Sequence, residues 1–371
     1  MKYYIIAGEA SGDLHAANLV VEIKKKDANA EFRGWGGDLM RKQGVTLVKH
    51  YRSTAFMGFV EVAVNLRSVL GNIKACKKDL LAYRPDMLVL VDYPGFNLRI
   101  ARFARKQHIK TCYYISPQVW AWKRRRVRRI KEDVDRMLVI LPFEEPFYRE
   151  HGVNAVFVGH PLLDELARLD ATPRISFVRR NNLSEKREII ALLPGSREQE
   201  VKRMLGTMLK VIPRFPQYQF VIAGVSSLDE QLYQGMIGDH DVKLVMNQTY
   251  GLLQNASAAL VTSGTATLEA ALLAVPEVVC YKANRLSYRI AKHLIKVKYI
   301  SLVNLIMDRE VVKELIQDDF NEEMLVKQLQ RLLTDGKQQR RLLDDLDSLR
   351  ARLGGQGASE KAAEEILGMI K

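Results

Sequence analysis

Short apolar runs alternate with longer helical stretches along most of this chain, and the alternation restarts once. The run Met87-Leu88-Val89-Leu90-Val91-Asp92 has no polar face, so it reads as a strand covered on both sides. Strands of that kind separated by helices make parallel sheets with helices packed on them. Strands are expected at 3–7, 31–35, 87–92, 111–115, 137–141 and 155–158, with helices at 14–26, 61–82, 97–107, 125–134 and 143–150. The second series has strands at 188–193, 219–223, 242–246, 258–262 and 277–281, and helices at 198–210, 228–236, 265–274 and 285–296. From about 310 onward the pattern reads as all helix. The fold class is therefore α/β, as two Rossmann-like lobes with a helical C-terminal tail. The polar stretch after Gly159-His160-Pro161 divides residues 1–164 from 165–371, and the tail over roughly 310–371 would pack on the first lobe or on a partner chain. Ligands of such sheets sit beyond the carboxyl ends of the strands, and two facing lobes would make a cleft there.

The formal charge of +14 over 371 residues points to phosphate-bearing partners: nucleic acid, an anionic membrane or a nucleotide-linked substrate. Three scattered cysteines, Cys76, Cys112 and Cys280, fit a reducing compartment and argue against a disulfide framework or a zinc cluster. Met1-Lys2 runs straight into a strand, which leaves no room for a signal peptide, and no stretch has the continuous apolar character of a membrane span.

Strand ends carry the chemistry-bearing residues. The first strand leads into Gly8-Glu9-Ala10-Ser11-Gly12-Asp13, where Ser11 and Asp13 can cap a helix whose free N–H groups suit an anion or a hydroxyl-rich ligand. This is not the GxGxxG fingerprint. Asp92 closes a buried strand, where partial burial would raise its pKa and make it a general base; capping of the helix after Asn97 is the plainer role. Ser196 and Arg197, in Leu193-Pro194-Gly195-Ser196-Arg197, can reach a diphosphate. Thr262-Ser263-Gly264-Thr265-Ala266-Thr267-Leu268-Glu269 reads as a phosphate cradle at a helix N-terminus, with Glu269 placed for a ribose hydroxyl. No Gly-Lys-Ser/Thr follows it, so it is not a P-loop. The spacings Asp133-Val134-Asp135 and Asp345-Leu346-Asp347 end no buried strand, so no metal and no cofactor is expected.

Two stretches suit a lipid surface. Trp120 and Trp122 precede Lys123, Arg124, Arg125, Arg126, Arg128, Arg129 and Lys131, seven cations in nine positions, with Val127, Ile130 and Val134 at helical spacing. Phe56, Met57 and Phe59 begin an apolar segment that ends at Lys74, Lys77 and Lys78 and reads equally as an interfacial segment or a core helix.

Taken together, these motifs resemble the lipid-A-disaccharide synthase family nearly end to end. Besides those quoted, the resemblance rests on Met57-Gly58-Phe59-Val60-Glu61-Val62, Asp92-Tyr93-Pro94-Gly95-Phe96-Asn97, Ser116-Pro117-Gln118-Val119-Trp120-Ala121-Trp122, Gly159-His160-Pro161-Leu162 and Ser301-Leu302-Val303-Asn304-Leu305. It implies a glycosyltransferase-B-type fold and a peripheral position on the inner, cytoplasmic face of the membrane. It implies transfer of 2,3-diacylglucosamine from its UDP derivative to 2,3-diacylglucosamine 1-phosphate, giving a β-1,6-linked disaccharide 1-phosphate and UDP. Asp92 matches the family's aspartate; Arg197, the Ser263–Glu269 turn and Asn304 match its nucleotide side. Glu9, Ser11, Gly12, Asp13 and Asn97 fall on the acceptor side. Gly95 stands where many members carry a second acid, Gln118 where Ser is common and Val303 where Pro is common. A nucleic-acid partner is not expected; a homodimer is left open. The competing readings are another UDP-sugar enzyme of the same fold, either a UDP-GlcNAc epimerase or a peptidoglycan-precursor transferase, and a nucleic-acid-binding module.

Overall fold

The computed structural model describes residues 1–53, 66–121, 126–284, 288–289 and 297–370. The chain forms two compact units, Met1–Ala167 joined by Leu353–Lys371, and Arg168–Arg352.

In the first unit the strands are β1 (Lys2–Ala7), β2 (Glu31–Gly36), β3 (Thr46–His50), β4 (Met87–Val91), β5 (Thr111–Tyr114), β6 (Arg136–Val139) and β7 (Ala155–Phe157). They form one parallel sheet in the order β3-β2-β1-β4-β5-β6-β7. The helices are α1 (Ala10–Lys26), α2 (Asp38–Lys42), α3 (Leu66–Tyr83), α4 (Pro94–Lys106), α5 (Arg126–Asp133), α6 (Glu144–Glu150) and α7 (Pro161–Ala167). Because strand side chains alternate, β1 and β4 feed two cores. Tyr3, Ile5, Ala7, Met87, Val89 and Val91 share one, and Tyr4, Ile6, Leu88 and Leu90 share the other.

The second unit begins with α8 (Arg174–Arg180) and continues through β8 (Glu188–Leu193), α9 (Glu198–Leu209), β9 (Tyr218–Gly224), α10 (Glu230–Ile237) and β10 (Val242–Met246). Then follow α11 (Thr249–Leu253), β11 (Ala256–Thr262), α12 (Thr265–Leu272), β12 (Glu277–Tyr281), α13 (Leu302–Met307), β13 (Lys313–Ile316), α14 (Glu322–Thr334) and α15 (Gly336–Arg352). This sheet is also parallel, in the order β10-β9-β8-β11-β12-β13. The chain then returns to the first unit as α16 (Ala358–Ile370), whose Ala362, Ala363, Ile366 and Leu367 join the core beneath α1.

Two strands depart from the expected pattern. Thr46–His50 and Lys313–Ile316 are short edge strands carrying Lys49, Lys313 and Glu314. Charge on a short edge strand discourages pairing with other chains and hides the strand from a hydrophobic pattern. The second corrects the all-helix reading after 310. Of the expected helix at 285–296, only residues 288–289 are among the described residues, and both are helical.

Candidate active site

Strand order reverses between β1 and β4 in the first sheet and between β8 and β11 in the second. At such a reversal the flanking connections leave on opposite faces and open a crevice at the carboxyl ends. Asp92 stands at the first reversal, and the Gly195–Arg197 and Ser263–Thr265 turns stand at the second.

Asp92 and Tyr93 both hold left-handed backbone, at φ +44° and +50°. For residues with a Cβ this conformation is strained, typically by about 1–3 kcal/mol each. A side-chain bracket keeps the turn in place. The Asp92 carbonyl accepts from the Tyr113 hydroxyl at 2.5 Å and from Asn97 Nδ2 at 2.7 Å. Asn97 Nδ2 also donates to the Val91 carbonyl at 3.2 Å. The Tyr93 ring lies against Gly8, where an added Cβ would come within 2.2 Å of it. The half-buried Asp92 carboxyl is pushed up to about 6 by burial and, secondly, by the negative charge of Glu9. A backbone hydrogen bond from Tyr93 works the other way and is outweighed. The result is a carboxylate more basic than usual at a strand reversal.

The second unit holds a cavity of about 680 Å³ at its strand reversal. That is within the range of small-molecule sites, ~300–1,000 Å³. Ser196, Arg197, Ser263, Gly264, Thr265 and Glu269 line it, as the motifs suggested. Gly195 adopts φ +117°, and a Cβ there would lie 2.6 Å from that of Glu200. Glu200 Oε2 accepts the backbone N–H groups of Ser196 at 3.1 Å and Arg197 at 3.3 Å, which fixes the turn. The Arg197 guanidinium is 66% exposed and rests 3.3 Å from Glu200 Oε1, so an anion in the cavity competes only with a surface contact. Thr265 opens α12, whose unpaired N–H groups favour negative charge. Thr267 is fully buried, and its hydroxyl is spent on the Gly264 carbonyl at 2.8 Å.

One stretch escaped the motif reading, and one residue of the phosphate-cradle motif, Thr262, stands without a partner. Asn247, Gln248, Thr249 and Tyr250 line the cavity from the turn after β10, and Tyr250 donates to Glu269 Oε1 at 3.4 Å. Thr262 lines it with a buried hydroxyl that has no partner. Both lie at or just beyond ends of expected strands, so the rule that pointed to Asp92 also points to them.

Several expected site residues have structural work instead. Helix α1 begins at Ala10, so Ser11 and Asp13 lie inside its first turn rather than capping it. Asp13 is buried and accepts the N–H groups of Gly37, Leu39 and Met40 at 2.7–3.1 Å, which caps α2. Glu9 and Ser11 are exposed, and Gly12 is buried against Ala7. Asn97 is buried and occupied in the Asp92 bracket. Asn304 is buried with its amide donating to Val312 and Glu314 and accepting from Val311 and Val312, so it ties α13 to β13 rather than facing the cavity. Trp120, expected on a lipid surface, is buried, and its indole donates to Glu144 Oε1 at 3.1 Å. Arg126 is half-buried at the start of α5, where Val127 and Ile130 pack inward and Arg128, Arg129 and Lys131 face water. Phe56, Met57, Phe59, Trp122, Arg124 and Arg125 lie outside the described residues. A Cβ on Gly95 would meet nothing within 4 Å, so this position has room for the acid carried by other sequences.

A family model described as lipid-A-disaccharide synthetase matches residues 3–367. The lipid-A-disaccharide synthase of Syntrophus aciditrophicus (strain SB) is 43% identical to this chain, covering 99% of it and 97% of the relative. That of Trichlorobacter lovleyi is 39% identical over the same shares. Among solved structures, UDP-GlcNAc 2-epimerase from Neisseria meningitidis, bound to UDP-GlcNAc, superposes with a TM-score of 0.70 at 14% identity, covering 99% of this chain and 100% of its own. The glycotransferase of kitacinnamycin gives 0.68 at 15%, covering 100% and 99%. At such identities the likeness shows a shared fold.

Proposed function

The chain belongs to the lipid-A-disaccharide synthetase family, and from that premise we propose how its residues carry out the transfer and on which substrates. It is a hexosyltransferase of lipid A disaccharide synthesis that uses a UDP-sugar. The donor is UDP-2,3-diacylglucosamine and the acceptor 2,3-diacylglucosamine 1-phosphate. Asp92 takes the proton of the acceptor 6-hydroxyl as that oxygen attacks the anomeric carbon. The bond from that carbon to the diphosphate breaks from the opposite face, and UDP leaves with the electron pair. Inversion gives the β-1,6-linked disaccharide 1-phosphate.

The observation that carries this reading is Asp92 itself, a carboxylate at a strand reversal, held by a bracketed strained turn and raised to about 6. At neutral pH such a group is mostly ionised yet more basic than an ordinary carboxylate. Charge that builds on the departing diphosphate is met by Arg197, by the N-terminus of α12, and by the hydroxyl of Thr265, while the Ser263 hydroxyl donates to the Ile300 carbonyl at 3.1 Å. Glu269 is placed for a ribose hydroxyl. The exposed cations of α5 hold the protein peripherally to the anionic inner face of the cytoplasmic membrane. Among the described residues no helix is long and apolar enough to cross a membrane.

The test is incubation with both substrates and mass analysis for the disaccharide. Asp92→Asn is expected to lower kcat at least about a hundredfold with UDP affinity retained, since general-base groups contribute ~10²–10⁴-fold. In the native protein, kcat/KM should rise with pH through about 6 as Asp92 ionises. Near-normal turnover by the variant removes Asp92 from the mechanism.

A further inference from the structure

A second cavity in the Arg168–Arg352 unit, of about 190 Å³, lies apart in sequence from the residues assigned to UDP. Its walls come from the start of β12, the segment entering β13, and helices α14 and α15. Glu277 lines it and is 1% exposed, and both of its carboxyl oxygens lack any hydrogen-bond partner. A buried polar group left unpaired costs roughly 1–3 kcal/mol, and more if charged, so a buried carboxyl with neither oxygen satisfied calls for a donor from outside the chain.

The surrounding charges select the sign of that donor. Lys313 is paired with Glu310 at 3.0 Å, and Arg309 with Asp345 at 2.8 Å, so these groups largely cancel at the rim. Arg341 is exposed at the rim, where water screens it. Behind Glu277 stands Glu314, which accepts from the N–H groups of Ile300 and Ser301, the Ser301 hydroxyl and Asn304 Nδ2. Four hydrogen bonds fix the Glu314 carboxyl in place. Its charge adds to burial in pushing the Glu277 carboxyl well above the usual carboxylate range. A buried, unpartnered carboxyl in the wall, with a second carboxyl near it, favours a cation over an anion in the cavity. Among the described residues no three His, Cys, Asp or Glu side chains are grouped to hold a metal, so the cation must bring its own hydrogen-bond donors. Val278, Val311, Leu332 and Leu342 supply apolar wall for a short hydrocarbon stem, and the Gln328 amide supplies another polar contact. A cavity of ~150 Å³ accommodates benzene, so this one has room for an ammonium head on three or four carbons.

We propose that this cavity is a binding site for a small primary ammonium compound, with Glu277 as its counter-ion. Binding draws the proton from Glu277 and replaces a neutral, unsatisfied carboxyl by an ion pair. Ordered water is the competing occupant.

The test titrates the full chain with propylammonium chloride, using 1-propanol as the uncharged control, by calorimetry in two buffers of different ionisation enthalpy. Expected are saturable one-to-one binding of the ammonium, release of up to one proton, and no binding of the alcohol. Glu277→Gln should weaken binding about tenfold or more, the value of a lost charge-assisted contact. Leu332→Phe should block binding by filling the cavity without touching the carboxyl. Unchanged UDP affinity in each variant shows that the unit is folded. Should Glu277→Gln fail to fold, Leu332→Phe decides alone. Absence of saturable binding, equal binding of the alcohol, or unaltered binding by the folded variants overturns the proposal and leaves the cavity to water.

Discussion

At the scale of single residues, burial sets the acid–base behaviour. Glu144 is 1% exposed and accepts from Ser116, Trp120, Leu141 and Ile140. Burial still pushes its carboxyl up to about 7, outweighing those four donors. A folded-state value above the unfolded one means that folding favours the protonated form. This contribution is therefore complete below about 4.5 and is lost as pH rises toward 7, on the order of 3 kcal/mol in all. His15 and His160 act in the opposite direction. Burial lowers them to about 4 and about 3, so their stabilisation is complete above 6.5 and is lost as pH falls through those values. Bulk stability thus mixes two opposed trends, and a variant separates them. Relative to the native protein, Glu144→Gln should gain in thermal stability as pH is raised from 5 to 8. A difference in Tm that stays flat over this interval, measured by calorimetry, rules out Glu144 as the source. Asn97 and Asn304 carry the complementary lesson. Each reads as a polar site residue in the chain, yet each is buried and used to pin a strand end to its neighbour.

Helices and strands position these groups through their ends. The β8–α9 turn presents Arg197 because Gly195 can take φ +117° and Glu200 reaches back to its N–H groups. The β11–α12 turn presents backbone N–H groups because Gly264 leaves the helix start bare of a side chain. Arg197→Ala should weaken UDP binding about tenfold to a hundredfold, the usual range for a charged hydrogen bond to phosphate, with the unit's Tm nearly unchanged because the guanidinium is exposed. Equilibrium titration with UDP measures the first, and an affinity equal to the native one would take Arg197 out of the diphosphate contact. The turn after β10 is the informative omission. Its strand was legible, but Asn247 to Tyr250 carry no glycine, and the fold brings them to the same cavity as the turns after β8 and β11 although β9 separates β10 from β8.

Across the whole molecule, the chain closes its first unit with its last helix. The apolar face of α16 covers α1, and Lys26 and Arg136 make ion pairs to Glu364 and Glu365. Burial of Ile366 and Leu367 alone contributes roughly 3–6 kcal/mol. A chain ending at Arg352 should therefore lose several degrees of thermal stability in the Met1–Ala167 unit and bind an apolar dye through the bared face of α1. Unaltered melting of that unit would contradict the packing role of α16.

The sequence by itself determined the parallel sheets, their covering helices and the turns at Asp92, Arg197 and Ser263, because backbone periodicity and glycine-and-hydroxyl turns are local properties of the chain. It did not determine the two charged edge strands, the inward turn of Trp120, the engagement of Asn97 Nδ2 and of the Asn304 amide, or the unpartnered carboxyl of Glu277. Those depend on which groups from distant segments meet in a dry interior, where each donor and acceptor must find a partner, and that pairing exists only once the chain has folded.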